Sequence, residues 1–219
     1  MFTGIVAAVG RVTQLERRGG DLRLSVACPD LDMSDVQLGD SIATQGVCLT
    51  VVARGEQSYT ADVSLESVER STLGRLRLGQ RLNLEKAMLA TTRFGGHIVS
   101  GHVDGIGEIV ECSPLGRAVN YRVRVADELL RYIAEKGSVT VDGISLTVNG
   151  LYADGFLLTI VPHTLAMTTL NDWRPGTAVN IEVDVLARYL ERLLQAATPA
   201  ADTRITPEFL AQHGYMKRT

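Results

Sequence analysis

The chain is poor in cysteine: Cys28, Cys48 and Cys112 stand at no metal-ligand spacing, and three thiols cannot all pair within one chain. They read as reduced thiols of a cytoplasmic protein. Basic residues come in short clusters such as Arg17-Arg18, and no stretch offers the positive face that bound nucleic acid requires. No apolar run approaches the roughly 20 residues of a membrane span. The opening MFTGIV lacks the basic and apolar regions of a secretory leader. What is present is ordinary for a globular protein: 45% apolar residues, 21% charged and a net charge of −3 over 219 residues. That length supports one large domain or two small ones, each with its own core.

The sequence then repeats itself. QGVCLTVV (Gln45–Val52) returns as DGISLTVN (Asp142–Asn149), an offset of 97 residues that places Cys48 on Ser145. The same offset carries Thr72-Leu73 onto Thr169-Leu170, Gly79 onto Gly176, Asn83 onto Asn180 and Glu85 onto Glu182. It slips only around LRLSVA (Leu22–Ala27), which matches YRVRVA (Tyr121–Ala126) at an offset of 99, as an insertion in a loop would produce. A unit this long repeated once indicates two domains of one fold, because solenoid periods run about 20–50 residues.

Within each unit, short runs of Val, Ile, Leu and Thr alternate with Gly, Asp, Asn and Ser turns, the pattern of an all-β antiparallel barrel. Strands are expected at 4–15, 21–28, 40–54 (broken at Gly46), 58–64 and 81–86, and again at 101–111, 119–126, 138–152, 155–161 and 178–183. Short helical pieces fit 66–72 and 164–170, where the period of two is lost. After Asp184, Leu186, Leu190, Leu193 and Leu194 recur at helical spacing opposite Arg188, Glu191 and Arg192. This helix either packs on its own barrel or meets copies of itself. A last short helix has Thr206 as N-cap, Pro207 at its first position and Gly214 as its stop.

Strand periodicity sorts the candidate chemistry. Val47, Leu49 and Val51 share one face and Cys48, Thr50 and Val52 the other; Ile144, Leu146 and Val148 oppose Ser145, Thr147 and Asn149. A small barrel fills its interior with aliphatic side chains, so the Cys/Ser and Thr positions lie outside. An exposed strand explains one such Thr without any function, and the repeat of Thr50 at Thr147 weakens that explanation. Asp62, Ser64 and Glu66 share a face where the second copy has Thr159, Val161 and His163, so the copies agree in backbone and differ in polar equipment. In GGHIVSGHVDG (Gly95–Gly105), His97 and His102 lie five apart, a poor zinc spacing. Gly101 admits a close ligand, His102 is the obvious acid–base group of the segment by residue type, and Lys136 adds a cation near Ser145 in sequence.

Taken together, MFTGIV, GVCLTV, GGHIVSGHVDG, KGSVTVDGISLTV and the paired ends LNLE (Leu82–Glu85) and VNIEVD (Val179–Asp184) resemble the riboflavin synthases of the two-domain lumazine-binding type, up to about Leu190. The resemblance implies two tandem six-stranded Greek-key barrels related by internal duplication, at 1–96 and 97–185. It also implies a helix at 186–198 that holds a homotrimer, before a tail at 199–219. It implies the last step of riboflavin biosynthesis, in which two molecules of 6,7-dimethyl-8-ribityllumazine exchange a four-carbon unit. Riboflavin and 5-amino-6-(D-ribitylamino)uracil result, without cofactor or metal, nucleic acid or membrane. Two identical molecules with different parts to play require two similar pockets that differ in polar residues.

The family's pockets carry over position by position. The first comprises Gly4, Ile5, Val6, Cys48, Leu49, Thr50 and the run Asp62, Val63, Ser64, Leu65, Glu66, Ser67. The second comprises Gly101, His102, Val103, Lys136, Ser145, Leu146, Thr147 and the run Ile160, Val161, Pro162, His163, Thr164, Leu165. The expected roles are proton removal from the donor's C7 methyl by His102, and positioning or nucleophile activation by Cys48 and Ser145. Thr50, Thr147 and Lys136 hydrogen-bond the ring, and Asp62 and Glu66 orient it or its ribityl chain; Asp184 is a further candidate and Phe2 packs at a pocket edge. Two positions depart from the family pattern: Val47 precedes Cys48 where many members have a second cysteine, and Thr72 replaces an expected Asn. The alternative is a non-catalytic lumazine- or flavin-binding protein, in which one repeat tends to lose ligand residues; here both are polar. A flavin reductase barrel predicts an Arg-x-Tyr-Ser/Thr motif, and the sequence has none.

Overall fold

The computed structural model describes residues 1–197 and 207–215. Residues Met1–Val185 form one compact unit containing two closed antiparallel barrels. The strands of the first are β1 (Ala8–Arg18), β2 (Asp21–Ala27), β3 (Ser41–Thr44), β4 (Val47–Arg54), β5 (Ser58–Val63) and β6 (Arg81–Lys86). They close in the Greek-key order β1-β2-β5-β4-β3-β6. The second barrel runs β7 (Gly105–Leu115), β8 (Ala118–Arg124), β9 (Ser138–Val141), β10 (Ile144–Tyr152), β11 (Gly155–Ile160) and β12 (Ala178–Val183), with the same neighbours. Even the irregularities repeat. Register shifts between Val12 and Gln14 and between Val51 and Ala53 recur between Ile109 and Glu111 and between Val148 and Gly150. A bulge bends its strand, and a small barrel needs such bends at its corners.

The expected strand faces hold. Val47, Leu49 and Val51 are buried in the first core with Leu24, Val26 and Leu84, and Ile144, Leu146 and Val148 in the second with Val123, Leu158 and Ile181. Cys48 and Ser145 are half-buried on the outside, and Thr50 and Thr147 are exposed. The helical pieces begin earlier than expected and divide. Helix α1 (Leu65–Arg70) gives way at Ser71 to a 3-10 turn (Thr72–Arg75). A one-turn helix, α2 (Asp127–Leu130), lies where the repeat register slips and had no periodicity to announce it. Helix α3 (Pro162–Met167) is likewise followed by a 3-10 turn (Thr169–Asp172).

The first strand of each repeat starts later than its apolar pattern suggests, at Ala8 instead of residue 4 and at Gly105 instead of residue 101. Gly4 (φ +75) and Gly101 (φ +78) interrupt the extended run, and the residues before them leave their own barrel. Phe2 and Val99 pair with each other, N–H to carbonyl in both directions at 2.8 and 3.1 Å. Val6 then packs on the core of the second barrel and Val103 on the core of the first. The two repeats thus exchange their leading segments.

The hairpins between β3 and β4 and between β9 and β10 are two-residue turns, Gln45-Gly46 and Asp142-Gly143, with positive φ at all four residues as type I′ geometry requires. They meet back to back: a Cβ on Gly46 would lie 2.6 Å from the Gly143 nitrogen. Asn83 and Asn180 bolt the joint. The amide of Asn83 donates to the Asp142 carbonyl and its oxygen accepts from Thr169 N–H, each at 2.9 Å; that of Asn180 donates to the Gln45 carbonyl and accepts from Thr72 N–H, at 2.8 and 2.7 Å. Thr72 therefore serves the joint through its backbone.

The unit beyond Val185 contains helix α4, assigned as Val185–Ala197, and helix α5 (Pro207–Gln212) with Pro207 at its start. Leu186, Leu190, Leu193 and Leu194 are all exposed on the single chain. Gly214 follows α5 with φ +81, as its stop; the expected cap Thr206 lies outside the described residues. No described helix is long and apolar enough to cross a membrane.

Asp142 differs from its counterpart Gln45 by a charge. Its carboxylate accepts from Asn180 N–H at 2.8 Å and from Trp173 Nε1–H at 3.1 Å, yet burial pushes its pKa up to about 7. The unfolded carboxyl titrates near 3.9, so between these values the folded chain keeps a proton that the unfolded chain has lost. Stability then falls as pH rises through that window and levels off above 7. Burial also raises Glu85 and Glu182, whose slopes have the same sign. Asp142→Asn is expected to gain thermal stability relative to the unaltered protein between pH 5 and pH 8, measured by thermal unfolding at both.

Candidate active site

The exchange of leading segments regroups the candidate residues. Grouping by repeat put Gly4, Ile5 and Val6 with Cys48, and Gly101, His102 and Val103 with Ser145. In the structure Cys48 N–H donates to the Gly101 carbonyl and Ser145 N–H to the Gly4 carbonyl, both at 2.8 Å. Each segment lines the other repeat's strand because Gly101 and Gly4 have no side chain. A Cβ on Gly101 would lie 2.7 Å from Cys48 Cβ, and one on Gly4 would lie 2.6 Å from Ser145 Cβ.

On the Cys48 side the result is a cavity of about 360 Å3 lined by Val47, Cys48, Glu66, Ser67, Arg70, Ser71, Gly101, His102 and Val103. Its size suits one small heterocyclic ligand. The strand β4 brings Cys48 and α1 brings Glu66, Ser67 and Arg70. Ser64 caps that helix by accepting from Ser67 N–H. Glu66 pairs with Arg70 at 3.1 Å across one turn. Arg70 was not singled out from sequence, where it reads as one more charge on a solvated helix. Asp62 is already engaged: both its oxygens accept from Arg23, at 2.6 and 2.8 Å, and this hydrogen bonding holds its carboxyl below the usual range. It presents an ion pair to a ligand, not a free carboxylate.

On the Ser145 side stands His97, set aside at first because its spacing from His102 fits no metal. It is buried, with Nδ1 2.7 Å from Ser145 Oγ and Nε2 3.1 Å from Thr140 Oγ1. Burial lowers its pKa, against an opposing pull from Asp184, so the ring is neutral at neutral pH. The tautomer protonated at Nε2 donates to Thr140 and leaves Nδ1 to accept from the Ser145 hydroxyl, the arrangement that activates an alcohol. His163 and Thr164 sit on α3 where Glu66 and Ser67 sit on α1. Lys136, at φ +64, donates its backbone N–H to the Val148 carbonyl while its side chain is exposed.

Several candidates turn inward. Leu49, Val63, Leu146, Ile160 and Leu165 are core residues, so only their backbone faces outward chemistry. Val161, Pro162, Ser64 and Leu65 are exposed at the rims. Among the described residues no group of three or more His, Cys, Asp or Glu is arranged to hold a metal. Gly101→Ala is expected to force Cys48 and Gly101 apart, losing stability by about 2 kcal/mol and abolishing tight ligand binding, as calorimetry and a fluorescent-ligand titration would show.

Comparison with known proteins identifies the family and the fold. The lumazine binding domain family matches twice, over residues 3–87 and 100–184. The riboflavin synthase of Photobacterium phosphoreum is 52% identical over 217 residues, 99% of this chain and all of that protein. That of Bacillus subtilis (strain 168) is 40% identical over 98% of this chain and all of its own length. Among solved structures, LumP complexed with 6,7-dimethyl-8-(1'-D-ribityl) lumazine superposes with a TM-score of 0.76 at 20% identity, covering 84% of this chain and 99% of that one. The same protein complexed with riboflavin gives 0.77 at 21% identity; these two likenesses establish the fold. With one lumazine-binding domain in each repeat and full-length relatives of one activity, the chain belongs to the riboflavin synthases.

Proposed function

We propose that this enzyme converts two molecules of 6,7-dimethyl-8-ribityllumazine into riboflavin and 5-amino-6-(D-ribitylamino)uracil, one molecule held against Cys48 and the other against Ser145. The observation that carries this reading is the pair of matched outer faces with unequal equipment. One offers a thiol, His102 and the Glu66–Arg70 pair; the other offers a hydroxyl bonded to a neutral, buried His97. Each repeat, 1–96 and 97–185, supplies one lumazine-binding domain, although the walls of each pocket come from both.

The reaction needs a base for the C7 methyl of the donor, a nucleophile or activated water at the acceptor ring, and close approach of the two rings. His102, exposed in the cavity beside Cys48, serves as the base. Ser145, its proton drawn toward His97, adds to the acceptor ring or activates the water that does. Thr50, Thr147 and Lys136 hold ring edges, and juxtaposition of two bound substrates supplies much of the acceleration. The same site without turnover is a lumazine store, which the polar equipment of both faces disfavours.

The exposed leucines of α4 support a homotrimer, in which a Cys48 pocket of one protomer faces a Ser145 pocket of the next. The three cysteines are all free, in keeping with the cytoplasm.

Purified protein given the lumazine alone is expected to form riboflavin, followed by its absorbance; stoichiometric binding without product would leave only the storage reading. His102→Gln is expected to lose about 100-fold in turnover, and unchanged turnover across pH 6–8, the range around an ordinary histidine pKa, would remove His102 from the mechanism. A chain ending at Asp184 is expected to sediment as a monomer with little activity. Retention of the trimer and of full turnover would show that α4 does not assemble it.

A further inference from the structure

Glu85 and Glu182 close their repeats in β6 and β12, and the mechanism above uses neither. Both are nearly buried, at 8% and 4% exposure. Neither carboxylate faces an arginine or lysine in an ion pair, among the described residues. Instead each gathers three donors from the start of a leading segment. Glu85 Oε1 accepts from Thr3 N–H and Thr3 Oγ1, both at 2.7 Å, and Oε2 from Gly4 N–H at 2.9 Å. Glu182 Oε1 accepts from Ser100 N–H and Ser100 Oγ, both at 2.7 Å, and Oε2 from Gly101 N–H at 3.0 Å. Charge-assisted bonds to a buried carboxylate are strong and direct. They hold each segment up to the residue, Gly4 or Gly101, whose carbonyl meets the other barrel.

We infer that Glu85 and Glu182 are positioning residues with crossed effects: Glu182, of the second repeat, sets the Gly101–His102 wall against Cys48 of the first, and Glu85, of the first, sets the Gly4–Ile5 wall against Ser145 of the second. The next groups along each segment carry the consequence, because Gly101 and Gly4 are the residues whose carbonyls receive Cys48 and Ser145 N–H. A neutral amide cannot replace the carboxylate. Its nitrogen would face one of the three donors, and one side of the fork would be lost. The inference rests on the proposed site for its catalytic meaning, but its structural content is independent of turnover.

Cys48 is itself the reporter. Gly101 packs on its Cβ, whereas Cys28 is buried with its thiol pushed up to about 11, an unreactive internal reference. Iodoacetamide labelling of the full-length protein, read residue by residue by mass spectrometry, is compared in the unaltered protein, Glu182→Gln and Glu85→Gln. Glu182→Gln is expected to label Cys48 about fivefold faster, the effect of loosening one charge-assisted bond. Glu85→Gln is expected to leave that rate within about twofold while riboflavin formation falls about 10-fold or more in both. An unchanged Cys48 rate in Glu182→Gln, or an equal rise in both variants, overturns the crossed assignment. Where Glu182→Gln does not fold, Ser100→Ala removes a single donor and is read by the same criteria, with about a twofold rise expected. A protein that makes no riboflavin but labels as described would overturn the proposed function and keep this inference.

Discussion

Two glycines facing each other between the two barrels set the terms for everything else. Gly46 and Gly143 let two type I′ hairpins touch through backbone alone, at a distance no side chain would tolerate. Around that contact Asn83 and Asn180 each span both barrels, satisfying a turn carbonyl and a helical N–H of the opposite repeat. Buried polar groups of this kind are costly unless every bond is made. The joint therefore has a narrow range of acceptable geometries, and the leading segments that cross beside it inherit that precision.

From this joint follows the composition of the pockets. Once the barrels are held so closely, Phe2 and Val99 can pair with one another, and each segment continues onto the neighbouring barrel. Glu85 and Glu182 fix the departure points, and glycines at Gly4 and Gly101 allow landing against Ser145 and Cys48. Chemistry is then added in single residues. A histidine follows Gly101 where an isoleucine follows Gly4, and a buried His97 backs Ser145.

Much of this was legible in the sequence. Period-two alternation placed Cys48, Thr50, Ser145 and Thr147 outside their barrels because a one-residue slip would have turned leucine and valine outward. The constant offset disclosed the duplication, and Gly46 was visible as a break in the first copy, whereas the matching break at Asp142-Gly143 was read through as one strand over 138–152. The exchange of segments was not visible, because an apolar run such as IVAAV satisfies either barrel equally and periodicity carries no information about partner. His97 was passed over because spacing along the chain is a guide to metal sites on one element, whereas its partners Thr140 and Ser145 lie 43 and 48 residues away. Arg70 and the two glutamates were hidden for another reason: a charge at the end of a strand or on a short helix looks solvated until its burial and donors are known.

The crossed segments also bear on how two copies of one gene segment can come to differ. Neither the Cys48 face nor the Ser145 face is built by one repeat, because each receives the leading segment of the other. His102, from the second repeat, lines the cavity beside Cys48, and Gly4, from the first, packs on Ser145. Differences between the two copies therefore act across the joint. A change at residue 101 or 102 is felt at Cys48 of the other repeat, and a change at residue 4 at Ser145.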